Sequence, residues 1–450
     1  MIGGVAVMIA RPLCALLVDP RLSRRRIAWV LLLAPYFTPT LLTGYAYANF
    51  SLSLIHHPEI NSLFYAALVG FKFTPIAVVI FHFAPAPISA EAIHCRRLMA
   101  LVRPTFSDTF RDWMFLLRAG CARGPIAAFA VVFLCAFAEF EMASLMGVKS
   151  WTVTLFDANA GGGALSESLR RMLWPLLGEA AAVATVVIVL GRQRMKMTRR
   201  VAAKTSPLAW FYLLMAFVFV LMIPASMVLW GTIRGFRLLF ENFVLSREIV
   251  SSLLFASGAT LLASVAVFWL GRSSRNRGAG SIAGSAMLAV GVCLGLLGPL
   301  LLSLAILAAV QLPWLLPLRD TPVPLVLTLA LALLPLAFVL KRVLELTGYR
   351  SSLHLARLLP ESKPARDLKW RLSTSGKFWT VVLLFVWAYW DLTASAILAP
   401  IGMTPVTVRL YNLMHYGQIA ALSAMTCATF AAPILLFMLA LGTRRWWAPR

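Results

Sequence analysis

The stretch that decides the fold is WAYWDLTASAILAPIGMTPVTVRLYNLMHYGQIAAL, residues 387–422. An apolar run leads down to a lone acid, Asp391. A break containing Pro400, Gly402 and Pro405 follows, and then a short mixed segment and a second apolar run. A carboxylate beside a broken apolar helix is typical of a water-filled path or an interface at membrane depth.

The same pattern occurs earlier as AEFEMASLMGVKSWTVTLFDANAGG, residues 138–162. The corresponding positions are Glu139 and Asp391, Gly147 and Gly402, and segments 152–157 and 407–412. The two copies differ by a short insertion around Pro400. A motif that recurs far along a chain indicates a duplicated unit, and duplication in a membrane chain is typical of transporters.

The composition belongs to a membrane protein. Of the 450 residues, 60% are hydrophobic and only 13% are charged, which is too few charges for a soluble domain of this length. The net charge of +24 is compatible with nucleic-acid binding. The basic residues, however, lie in short loops between apolar runs, where orientation in lipid explains them. We therefore expect membrane lipid and no nucleic acid as a partner.

A spanning helix needs roughly 20 apolar residues. By that measure the sequence predicts an all-α polytopic membrane protein with about eleven transmembrane helices in two pseudo-repeated halves. The predicted spans lie near residues 2–18, 27–49, 63–85, 125–147, 172–190, 208–231, 249–271, 281–309, 323–341, 378–399 and 418–441.

The distribution of basic residues predicts the orientation. Alternate loops, together with the boundary residue Lys341, hold 31 of the 41 Lys and Arg residues, whereas the opposite loops hold 8. Loops rich in Lys and Arg lie in the cytoplasm, so the carboxyl terminus is predicted to be cytoplasmic. Eleven spans then place the amino terminus outside. An odd count in a duplicated chain predicts either a lost span or a start further upstream.

The midpoint of the chain lies in the basic segment 191–207, which is compatible with a linker and equally with an ordinary inside loop. The duplication favours a linker, with a first half at 1–200 and a second at 201–450. Each half has one long cytoplasmic loop before its acid-bearing helix, at 86–124 and at 342–377. Loops of this length are uncommon without a role. Their mixture of basic and large apolar residues predicts short amphipathic helices that dock onto a partner.

The segments 391–402, 407–411 and 417–422 resemble the second-half signature of membrane subunits of binding-protein-dependent ABC importers. Within that family they are most similar to the fused, two-half permeases of the ferric-iron/thiamine type. Residues 139–147 resemble the first-half signature, and 16–26 resemble the loop after the second helix of the family, which implies that the first family helix is missing.

This resemblance implies separate cytoplasmic ATPase subunits, a periplasmic solute-binding protein and a place in the bacterial inner membrane. The family couples to its ATPase through a loop of pattern E-A-A-x3-G-x9-I-x-L-P. In the second long loop the spacing is kept and most of the letters are lost. The candidate coupling residues are His354, Ala356, Pro360, Trp370 and Leu372, of which only Ala356 and Leu372 agree with the pattern.

Glu139 and Asp391 are the candidate residues of the translocation path. Two roles are compatible with their positions: lining the path, or accepting hydrogen bonds from a neighbouring loop at a helix end. Glu141, two residues from Glu139, is predicted to face another side of the helix, at the interface. Lys72 lies within a span, where it either pairs with an acid or extends to an interface. Gly284, Gly291, Gly295 and Gly298 form a stripe that predicts close helix packing.

The sequence has no motif for hydrolysis or for metal or nucleotide binding. Gly161–163 lack the Lys of a phosphate-binding loop, there is no H-E-x-x-H or G-x-S-x-G, and no Cys has metal-site spacing. We therefore expect no enzyme activity and no cofactor or metal. Three functions remain open: an importer permease for a small solute such as ferric iron or thiamine, a degenerate permease acting as a membrane scaffold, and a membrane-embedded enzyme, which is disfavoured.

Overall fold

A computed structural model describes residues 1–17, 22–54, 56–83, 121–161, 165–191, 206–242, 245–270, 279–347, 362–415 and 419–446, together with residues 95 and 358. Within these ranges the regular structure is helical and no strand occurs. The predicted all-α class is confirmed for this part of the chain.

The first eight helices extend to residue 191. They are α1 (Ile2–Leu16), α2 (Leu22–Phe37), α3 (Thr40–Ser53), α4 (Pro58–Phe83), α5 (Arg123–Phe137), α6 (Glu141–Leu145), α7 (Trp151–Ala160) and α8 (Leu165–Gly191). Two of them, α6 and α7, are short and form the first acid-bearing segment.

The remaining helices begin at residue 207. They are α9 (Pro207–Phe217), α10 (Ile223–Asn242), α11 (Leu245–Val265), α12 (Ala279–Gly295), α13 (Gly298–Ala309), α14 (Val323–Thr347), α15 (Lys363–Tyr389), α16 (Thr393–Leu398), α17 (Val406–His415) and α18 (Ile419–Trp446). π-helical turns at Val218–Met222 and Ala266–Leu270 follow α9 and α11.

The chain is a multi-pass membrane protein. Among the described residues six helices are long and apolar enough to cross a bilayer, and the number rises to eight if each of two bent pairs is one span. Three further apolar helices of the predicted set are shorter: Ile2–Leu16, Arg123–Phe137 and Gly376–Tyr389. Length and composition therefore support six to eight spans, and the count of eleven stays a prediction.

Several of the helix bounds predicted from the sequence are wrong. The run 125–147 is not one helix, because α5 ends at Phe137, and 378–399 likewise ends at Tyr389. The described residues of the predicted loop 342–377 are mainly helical, since α14 extends to Thr347 and α15 begins at Lys363. Within 86–124 only residues 95 and 121–124 are described.

The predicted eighth span, 281–309, is broken. Its two segments, Gly284–Gly295 and Gly298–Ala309, are bent by 108°, and Gly298 has a φ of +82°. Just before the break, a Cβ on Gly295 would lie 2.2 Å from the Leu331 carbonyl oxygen. That carbonyl has no N–H donor four residues later because Pro335 is there. The glycine stripe thus marks the close approach of α12 to α14, as predicted, but Gly298 begins a new helix.

The contacts group the chain into two compact units. The first contains residues 1–38, 62–137 and 177–222, and the second contains 39–61, 138–176 and 223–450. The proposed halves 1–200 and 201–450 describe the sequence repeat, and their boundary stays a prediction.

In the first unit α1 packs against α5 and α9, and α2 packs against α9. Small residues allow the close approach of α1 and α5, since a Cβ on Gly3 would lie 3.1 Å from the Phe129 ring. Polar side chains of different helices also bond to one another: the Tyr212 hydroxyl of α9 donates to Thr74 Oγ1 of α4 at 2.7 Å. Such pairing satisfies groups that lipid cannot.

The second unit has its core where α11, α14 and α15 pack together. Fully buried apolar residues there include Ala256, Leu325, Leu329 and Leu384. The same core cluster contains Leu145 of α6 and Leu392, Ala394, Leu410 and Leu413 of the second acid-bearing segment. Both acid-bearing segments therefore belong to this unit.

Candidate functional site

The first acid-bearing segment begins where α5 ends. The Glu139 carboxylate accepts the backbone N–H groups of Met142 at 2.6 Å and of Ala143 at 3.2 Å. These are free N–H groups of the first turn of α6, which otherwise lack partners. The Glu139 carbonyl oxygen accepts the Thr152 hydroxyl at 2.8 Å. Glu139 is buried, and its side chain and main chain together hold α6 and α7 in place.

The second segment repeats this arrangement. Asp391 accepts the backbone N–H of Ala394 at 2.8 Å and is also hydrogen-bonded by that of Ser395. The Asp391 carbonyl oxygen accepts the Thr407 hydroxyl at 3.0 Å. In each copy the acid bonds the third and fourth residues after it, and a threonine hydroxyl bonds the carbonyl of the acid. Glu139 and Asp391 therefore make the same local hydrogen bonds, and their equivalence in two repeated halves stays a prediction.

The two segments also turn in the same way. Gly147 and Gly402 have φ values of +63° and +80°, in the left-handed region where a Cβ is strained. Each glycine is followed by an extended stretch and a ten-residue helix, α7 or α17. The acid-to-threonine separation is 13 residues in the first copy and 16 in the second, a difference of three that includes Pro400.

Glu141 joins the two segments. One of its carboxylate oxygens accepts the backbone N–H of Leu392 at 2.9 Å, and the other accepts the Thr40 hydroxyl. Glu141 is buried within the protein, and its predicted place at the membrane interface stays a prediction. Its position two residues after Glu139 was visible in the sequence, but nothing in the sequence indicated that Leu392 lies opposite.

A pair of neighbouring carboxylates results from this bridge. Glu141 accepts the N–H of Leu392, the residue after Asp391, so two groups of the same charge lie close together. Asp391 lies between helices and is half-buried.

A second contact joins the segments directly. The hydroxyl groups of Ser144 and Tyr411 lie 2.8 Å apart, so α6 and α17 are hydrogen-bonded. Ile397 of α16 packs against a buried cluster that contains Leu155 of α7 together with Leu300 and Leu301 of α13.

The start of α17 is held by α11. The Val406 N–H donates to Ser252 Oγ at 2.8 Å, and Arg409 Nε lies 3.4 Å from Glu248 Oε1. This ion pair is partly exposed, which limits its contribution to stability. The first copy has a lysine, Lys149, rather than an ion-paired arginine near the same turn.

Lys72 lies in α4 and takes a role that was not predicted. Its ammonium group donates to the carbonyl oxygen of Thr38, the residue after the end of α2. The lysine is 4% exposed. A cation at the carboxyl end of a helix is favoured by the dipole and satisfies a free carbonyl group.

Glu179 was also missed. It lies within the candidate span formed by α8 and is fully buried. Neither of its carboxylate oxygens has a hydrogen-bond partner among the residues that the structure describes. An acid within an apolar run was the available signal. The described residues around it do not indicate a ligand, so we assign Glu179 no role in the site.

The candidate coupling residues are only partly described. His354, Ala356 and Pro360 lie outside the described residues, and Trp370 and Leu372 are described only as positions in α15. In the ranges that the structure covers, no group of three or more His, Cys, Asp or Glu side chains could hold a metal ion.

Comparison with known proteins adds no relative. No family model, no curated protein and no solved structure matches the chain. The resemblance to importer permeases therefore depends on the residues of this chain alone.

Proposed function

We propose that the chain is the membrane subunit of a binding-protein-dependent ABC importer and forms the translocation path for a small solute. The observation that carries this proposal is the twofold occurrence of the acid-capped helix break, with Glu139 in one copy and Asp391 in the other. Irregular backbone at membrane depth is tolerated where protein covers it or where it lines a cavity. Paired broken helices from two repeats are the usual construction of a transport site.

In this proposal two cytoplasmic ATPase subunits bind 86–124 and 342–377, and a periplasmic binding protein delivers ferric iron, thiamine or a similar solute. The chain lies in the bacterial inner membrane with its carboxyl terminus in the cytoplasm. The amino-terminal turns of α15 are basic, with Lys363, Arg366, Lys369 and Arg371 before the apolar part that begins at Gly376. Leu368 is exposed there and offers an apolar contact to a docked subunit.

Closure of the ATPase pair would drive the change between outward-open and inward-open states. The contacts that such a change would have to break include the hydrogen bonds of Glu141 with Leu392 and of Ser144 with Tyr411. Each hydrogen bond contributes about 1 kcal/mol. Leu145 and Leu392 also belong to one buried apolar cluster, so that separation of the segments would expose apolar surface as well.

The test is co-purification from the native membrane in mild detergent. We expect an ATP-hydrolysing subunit to be recovered with the wild-type chain and lost with the variant Lys369→Glu. The matched control is Arg170→Glu, which reverses a charge at an exposed position of α8. The sequence predicts that this position lies on the side of the membrane opposite to the cytoplasm. Equal recovery with both variants would contradict docking on the second long loop.

The scaffold function is favoured by one observation, the loss of most letters of the coupling pattern around Ala356 and Leu372. A chain that purifies alone, and whose deletion leaves solute uptake unchanged, would support the scaffold. Loss of uptake with no chemical change of the solute would support the importer over an enzyme.

A further inference from the structure

The connection between α13 and α14 turns its apolar side chains outward. In residues 310–322 the exposed fraction is 45% for Leu312, 74% for Trp314 and 50% for Leu316. A soluble surface avoids such a concentration of large apolar groups, and where one occurs it marks a binding face or a membrane contact.

The backbone of this connection is bonded within itself. Seven of its N–H groups donate to carbonyl oxygens three or four residues back, at distances of 2.9–3.3 Å. The donors are Gln311, Leu312, Leu315, Leu316, Leu318, Arg319 and Thr321. A segment that enters an apolar medium has to satisfy its N–H groups internally, whereas a loop in water has no such requirement.

The connection continues a lipid-facing surface. It leads directly into α14, a candidate span whose first residue, Val323, is 49% exposed. Leu327, one turn further along, is exposed as well. The charged residues of the connection, Arg319 and Asp320, are exposed and lie together next to the start of α14.

We propose that residues 310–318 dip into the boundary between the lipid headgroups and the acyl chains, with Trp314 as the anchor. Tryptophan is enriched at this depth because its ring is apolar and its N–H can meet the headgroups. Arg319 and Asp320 remain at the level of the headgroups. This contact is with lipid, lies outside the spans and does not depend on the proposed transport function.

The experiment places a photoreactive benzoyl-phenylalanine at position 314 of the full chain. The protein is reconstituted in vesicles of phosphatidylethanolamine and phosphatidylglycerol and is illuminated, and its intact mass is measured. We expect an adduct of one phospholipid in a yield several times that obtained with the same probe at Asp320. Asp320 is the matched control because it is exposed in the same connection.

Equal lipid yields at the two positions, no adduct at position 314, or crosslinking of that position to a polypeptide would each overturn the proposal. A second measurement does not need the probe. Brominated lipids should quench the fluorescence of wild-type protein more than that of Trp314→Phe, and equal quenching would also overturn it. Thermal unfolding of each variant checks that the fold is retained.

Discussion

The acid-bearing segments 139–160 and 391–415 are two solutions to one problem, the interruption of an apolar helix without leaving its backbone unsatisfied. In both, a carboxylate takes the free N–H groups of a short helix and a threonine hydroxyl takes the carbonyl of the acid. They differ in surroundings. Glu139 is buried, whereas Asp391 is half-buried beside Glu141, a group of the same charge.

This difference in surroundings indicates which of the two segments tolerates substitution of its acid less well. Glu139 accepts two N–H groups of its own short helix, so its loss leaves those groups unpaired. Asp391 serves its segment and at the same time opposes Glu141, so its loss removes a cap and also a repulsion. The second copy also has three more residues between acid and threonine. We therefore expect the second copy to be the more adaptable.

The largest expected effect is on stability when the acids are truncated. Glu139→Ala leaves two buried N–H groups unpaired and should lower the free energy of unfolding by about 2–3 kcal/mol. Asp391→Ala should cost about 1 kcal/mol, because relief of the repulsion offsets part of the lost cap. Thermal unfolding in detergent measures both, and Asp157→Asn, at an exposed acid of α7, is the control. Equal losses would show that the copies are equivalent.

Substitution of either turn glycine by alanine should lower the free energy of unfolding by a similar amount. Gly147→Ala and Gly402→Ala each force a Cβ into the left-handed region, at a cost of about 1–2 kcal/mol. Among the described residues, no atom lies within 4 Å of a Cβ placed on Gly147, and the nearest atom to a Cβ on Gly402 is Arg247 Nη2 at 3.6 Å. The strained backbone conformation, rather than a steric clash, therefore sets the cost of each substitution. The control is Gly178→Ala in α8, which has the same open space in a helix and should stabilise by about 0.5–1 kcal/mol. A loss with the control variant would remove the conformational explanation.

The smallest effect concerns the direct contact between the copies. Ser144→Ala and Tyr411→Phe each remove one hydroxyl of the 2.8 Å pair. The double variant should lose less than the sum of the single losses, with a coupling energy of about 0.5–1 kcal/mol. Additive losses in a double-mutant cycle would show that the hydrogen bond does not couple the segments.

Much of the helical structure was predictable from local pattern. The described part of each predicted apolar run is mostly helical, because a run of apolar residues can satisfy its backbone in lipid only as a helix. Four of these runs are nevertheless interrupted, namely 27–49, 125–147, 281–309 and 378–399. The ends were less predictable. Phe137 and Tyr389 end their helices early because the carboxylates of Glu139 and Asp391 bond N–H groups further along and compete with continuation of the helix. Hydropathy does not record that competition.

The sequence by itself determined the membrane class of this protein, its helices, the repeat of acid, glycine and threonine, and the choice of Gly147 and Gly402 for the turns. These follow from local chemistry, in which each residue acts on neighbours a few positions away. Only the tertiary structure decided that Glu141 bonds Leu392, that Ser144 meets Tyr411 and that Lys72 bonds the carbonyl of Thr38. Those pairs join residues far apart in the chain, and their proximity depends on how the helices pack.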